Sequence, residues 1–74
     1  MTLREIVDKI KSELQKDLPV YVDDTCIYVC GATTGELDGL SGELKDAVSR
    51  NMYVVTTMPV DRLRKLGRYS YRMN

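Results

Sequence analysis

The sequence predicts an α+β fold: a small, mostly antiparallel sheet packed in two layers on two helices, in the order α-β-β-α-β. A short helix and a short fourth strand are optional additions at the end. Three observations carry this. Apolar residues near the N-terminus repeat with helical spacing, three short stretches rich in Val, Ile, Tyr and Thr follow, and a second helically spaced set separates the second stretch from the third. Seventy-four residues make a single domain over 1–74. A chain this short buries only about 60% of its unfolded surface, which leaves apolar surface for a second copy or another protein to cover.

The first helix is expected over about residues 2–17. Leu3, Ile6, Val7, Ile10 and Leu14 form one apolar stripe, Thr2 is a suitable N-cap, and Glu5 completes a capping-box pattern. Pro19 is expected to end it. Val20-Tyr21-Val22 alternates, Asp23-Asp24-Thr25 is turn-like, and Cys26 to Cys30 is rich in strand formers, which together predict a hairpin. Leu37, Leu40, Leu44, Ala47 and Val48 have helical spacing, but Gly39 and Gly42 each weaken a helix by roughly 1 kcal/mol relative to alanine. A second helix is therefore expected within about 34–50, either beginning late, capped by Ser41, or broken in the middle, and a loop or short turn followed by a firm helix from about residue 42 is the preferred reading. Met52 to Thr57 reads as the third strand, interrupted by Pro59. Asp61 to Leu66 can form a short helical turn ending at Gly67. The alternation of Tyr69 to Met73 suits an edge strand or an ordered tail.

Composition excludes more than it selects. The chain is 43% hydrophobic and 30% charged with few glycines and prolines, which is globular and neither disordered nor fibrous. The net charge is zero but unevenly spread: residues 17–49 hold seven acids against Lys45, and residues 50–74 hold six bases against Asp61. Such segments attract one another within a fold or across a dimer, and the zero total gives no long-range steering toward nucleic acid or membrane. No apolar run approaches the roughly 20 residues of a membrane span, and the N-terminus lacks the order of a secretory signal, so a cytoplasmic location is expected. Read along a strand, Cys26 and Cys30 lie about 13 Å apart, too far to bridge, and serve as small apolar side chains.

Catalysis finds little to work with. The chain has no histidine, hence no base beside a cysteine nucleophile. Asp23 and Asp24 are adjacent in a turn, a poor arrangement for paired acid–base work. No phosphate loop, dinucleotide fingerprint or zinc spacing is present. A magnesium site from Asp23, Asp24 and Glu36 is the one metal arrangement conceivable, and acids in turns are ordinary, so neither metal nor cofactor is expected.

Two constellations point to binding. All five aromatic residues are tyrosines. If Val20, Val22, Ile27, Val29, Met52 and Val54 face the helices, then Tyr21, Tyr28 and Tyr53 share the opposite, helix-free face. Tyrosine suits interfaces because its ring is apolar and its hydroxyl tolerates water; the plainer reading is a half-exposed face with no partner. The C-terminal segment supplies Arg62, Arg64, Lys65, Arg68 and Arg72, interleaved with Tyr69 and Tyr71. Bases and rings of this kind serve single-strand binding, and equally serve as a solvated face or an ion-paired contact with the acidic middle.

Gly39-Leu40-Ser41-Gly42, preceded by α-β-β and followed by a helix and a strand, resembles the KH domain of the second topological type over about residues 3–57. The resemblance implies a nucleic-acid backbone clamped by a Gly-x-x-Gly loop between two helices. This chain departs from that pattern in having no base inside the loop and in surrounding it with Glu36, Asp38, Glu43 and Asp46.

The expectation is therefore a non-enzymatic interaction or regulatory protein. It binds another protein, or itself as a homodimer, through an open face of Tyr21, Tyr28 and Tyr53 rimmed by the basic C-terminal residues. The alternative is a small RNA- or single-strand-binding domain with KH-like topology. An adaptor within a larger assembly is a third class, and on size alone such domains suit accessory factors of bacteria and their viruses.

Overall fold

A computed structural model describes residues 1–66 and 71–73. Helix α1 spans Leu3–Leu14, strand β1 Val20–Val22, strand β2 Cys26–Cys30, helix α2 Thr34–Asp38, helix α3 Gly42–Arg50, strand β3 Val54–Met58, helix α4 Val60–Leu66 and strand β4 Tyr71–Arg72. The domain is α+β, with a mixed sheet in the order β3-β2-β1-β4.

Local signals explain most boundaries. The Thr2 hydroxyl accepts from the Glu5 amide at 3.2 Å and the Glu5 carboxylate accepts from the Thr2 amide at 3.1 Å, a complete capping box that satisfies donors the first helical turn leaves free. The helix ends earlier than the proline suggests. Gln15 adopts a left-handed conformation (φ 55) and its amide bonds back to Lys11, so α1 closes at Leu14 and not at residue 17. A second capping box, between Thr33 and Glu36, starts the short α2. Ser41 caps α3, its hydroxyl accepting from the Leu44 amide at 3.2 Å. Gly31, at φ 88, ends β2 in a conformation that side chains rarely adopt.

The hairpin is antiparallel, with Tyr21 opposite Tyr28 and Val22 opposite Ile27. The third strand corrects the mostly antiparallel expectation in part: β3 runs parallel to β2, with Ile27 opposite Val55 and Cys30 opposite Met58. Two helices between β2 and β3 make this parallel return possible, because a parallel pair needs a long crossover. β4 adds antiparallel to β1, with Tyr21 opposite Arg72 and Val22 opposite Tyr71.

The main core lies between one sheet face and the helices. Ile6, Val7 and Ile10 of α1 meet Val20 and Val22 of β1, Ile27 and Val29 of β2, and Leu44 and Val48 of α3, all buried. A smaller cluster on the opposite sheet face comprises Tyr28 and Cys30, with Tyr21, Cys26 and Met58 packed around them. Cys26 and Cys30 are both free thiols, and burial pushes the Cys30 thiol above its ordinary range. Among the described residues no helix is long and apolar enough to cross a membrane.

Candidate protein-binding edge and groove

The tyrosine face departs from the sequence expectation in two ways. Tyr21 and Tyr28 do share the face away from α1 and α3, as register partners. Tyr53 does not join them, because it packs against the helix-covered core. Met52 takes a left-handed conformation (φ 61), so β3 starts two residues later than expected and the parity of its side chains is inverted. Val55 packs toward the core, whereas Val54 is 61% exposed.

The second departure is that this face is not open. Tyr28 is only 7% exposed and Cys30 1%. The Tyr28 hydroxyl donates to Asp23 Oδ2 at 2.5 Å, while Asp23 Oδ1 accepts from the amides of Thr25 at 2.9 Å and Cys26 at 2.7 Å. Burial pushes the Asp23 carboxyl up, but these hydrogen bonds outweigh it and the net effect is a lowering. The same bond to Asp23, aided by burial, raises the Tyr28 phenol well above its ordinary range. Asp23 and Tyr28 thus close the hairpin on itself and leave few groups for a ligand. Asp23 is engaged here, and Glu36 pairs with Lys16 at 2.8 Å. Among the described residues no group of three or more metal-ligating side chains gathers.

The basic residues are only partly brought together. Arg62, Arg64 and Lys65 lie exposed on α4, and Arg72 is exposed on β4 beside Tyr21. Tyr71 pairs with Val22, and Arg68 and Tyr69 fall outside the described residues. Among the described residues the ion pairs are Lys9–Glu43, Lys11–Asp17, Lys16–Glu36 and Arg50–Asp46, so the bases of α4 do not neutralise the acidic middle.

The Gly-x-x-Gly loop sits between α2 and α3, where the KH resemblance puts it, but the donors of Ser41 within it are engaged. Leu40 is buried, and Glu13 of α1 accepts from the Ser41 amide and from the Ser41 hydroxyl, both at 2.7 Å. The Ser41 amide, followed by its hydroxyl, holds the Glu13 carboxyl below its ordinary range. A carboxylate of α1 therefore occupies the donors of Ser41 in this loop. Sequence spacing gave no sign of this contact between residues 28 positions apart.

Among the described residues, β3 forms one edge of the sheet. A groove of about 290 Å³ separates β3 from α2 and α3; Leu37, Leu40, Val48, Tyr53 and Val55 line it, with Asp38, Lys45 and Ser49 among its polar members. Beside it runs β3, whose inward and outward groups follow from its register. The Val54 amide donates to the Thr25 carbonyl at 2.9 Å, so Val54, Thr56 and Met58 bond toward β2 and the backbone groups of Val55 and Thr57 point outward. The Thr56 hydroxyl makes a long 3.4 Å approach to the Thr57 carbonyl. From Asn51 to Val60 the sequence holds no charged residue. The large apolar side chains left exposed among the described residues are Met1 (46%), Met52 (85%) and Val54 (61%), and the Asn51 side chain, shortly before this strand, reaches the Met1 carbonyl at 3.5 Å. Compared with family models, curated proteins and solved structures, the chain matches none.

Proposed function

We propose that this chain is a non-enzymatic interaction protein that binds a protein segment in extended form, adding it as a strand alongside β3. The observation that carries the reading is the uncharged outer edge of β3, with the backbone groups of Val55 and Thr57 turned outward beside an apolar groove. Main-chain hydrogen bonds supply affinity in such strand addition, and a flanking pocket supplies selectivity through alternate side chains. Native sheets normally blunt an edge with lysine, inward charge or proline; here Pro59 follows the strand and none lies within it.

The buried tyrosine face fits this reading through the chain path. β3 and β4 run in the same direction at opposite edges, so α4 belongs to a parallel crossover, as α2 and α3 do between β2 and β3. The two crossovers travel in opposite directions across the sheet. Right-handed connections therefore lay them on opposite faces. We infer that α4 lies over Tyr28 and Cys30, giving helices on both sides of the sheet in place of two layers. Their low exposure supports this.

A nucleic-acid reading keeps one favourable observation, the exposed Arg62, Arg64 and Lys65 without carboxylate partners among the described residues. Against it stand the acids around the Gly-x-x-Gly loop, Glu36, Asp38, Glu43 and Asp46, and the Glu13 carboxylate of α1 that accepts from Ser41.

Affinity capture from the native extract, with and without nuclease, separates the two. A nuclease-resistant protein is expected, lost when Val54→Lys places a charge on the edge and retained by Arg64→Ala/Lys65→Ala. Recovery of nuclease-sensitive material alone, with binding that weakens steeply as salt rises, would overturn the proposal.

A further inference from the structure

We infer that an occupant of the β3 edge is a second copy of this chain, paired antiparallel about a two-fold axis so that two sheets become one. The inference rests on the reading of β3 as a docking strand and names its partner.

Strand complementarity argues for self-pairing. In a register centred on Thr56, Val55 of one copy lies opposite Thr57 of the other. Both present their backbone groups outward, so each of these pairs exchanges two hydrogen bonds. The same register sets the exposed Val54 of one copy beside Met58 of the other on the Tyr28 face, which covers apolar surface that the single chain leaves in water. A two-fold contact uses one patch on both partners, and so requires a patch that does not repel itself. This one meets the requirement, since Asn51 to Val60 carries no charge.

Sedimentation over a concentration series, joined to residue-resolved amide exchange, tests the inference on the full chain. A dimer is expected, in which the Val55 and Thr57 amides exchange about tenfold more slowly, or slower still, than in dilute monomer. The Val54 and Thr56 amides, bonded to β2, are protected in both states. Val54→Lys should give a monomer with the β2-facing amides still protected, which shows that the fold survives; Val55→Pro, which deletes an outward donor, should do the same. A chain that stays monomeric at millimolar concentration overturns the inference, as does a dimer whose Val55 and Thr57 amides exchange as fast as in dilute solution. Failure here is separable from failure of the docking reading: a monomer that captures a nuclease-resistant protein only when Val54 is intact keeps the edge and loses the second copy.

Discussion

The β1–β2 hairpin and the β3 edge share one sheet and have opposite chemistry. In the hairpin, a single carboxylate on Asp23 collects two amides and the Tyr28 hydroxyl, and β2 is paired on both sides. At the edge, a strand of similar length has a neighbour on one side only and an uncharged outer flank. Tyr28 and Tyr53, which look like interface residues, pack into internal structure, whereas in the Val-Val-Thr-Thr run Val54 is exposed and the backbone groups of Val55 and Thr57 point away from β2.

Substitutions can break that contrast. The largest effect is expected in the hairpin: Tyr28→Ala should cost about 3 kcal/mol or more in denaturant unfolding, because a buried ring and a hydrogen bond leave together. Val54→Ala, on the open edge, should stay within about 0.5 kcal/mol. Equal losses at the two sites would erase the distinction.

Asp23→Ala comes next, at about 1.5–3 kcal/mol, since it leaves two amides and a hydroxyl without their acceptor. Its pH signature sharpens the assignment. The folded carboxyl is held below the ordinary value of 3.8, so its stabilisation is fully present above that value and is lost as pH falls through the folded pKa. Asp23→Asn should therefore flatten part of the stability loss below about pH 4. An unchanged acid limb would show that Asp23 is not held as described.

A smaller effect than at Asp23 falls to Glu13→Gln, which keeps one acceptor for Ser41 and removes the charge. A loss of about 1 kcal/mol is expected, from weaker support of the turn between α2 and α3. The same variant tests the KH resemblance. If removing that charge produced salt-sensitive binding of single-stranded RNA, the loop would be a phosphate site under self-inhibition, and the nucleic-acid reading would displace the edge-strand one.

Local chemistry made parts of this fold legible in advance. The Thr2–Glu5 capping box, the Ser41 cap before Gly42 and the alternation of β1 and β2 need only residues within a few positions of each other. Their interaction partners are neighbours in the chain, so spacing suffices to find them.

Long-range packing decided the rest. The parity of β3 turned on a left-handed Met52, and alternation alone cannot say which of its two phases faces the core. Parallel pairing with β2, the burial of Tyr28, the arrival of Glu13 at Ser41 and the outward turn of Val55 and Thr57 each join segments far apart in sequence. By itself the sequence indicated an α+β domain, placed its first helix and its hairpin, and showed a chain without histidine. Only the tertiary structure decided which polar groups are satisfied, because a hydrogen bond is spent or spare according to what the fold brings beside it.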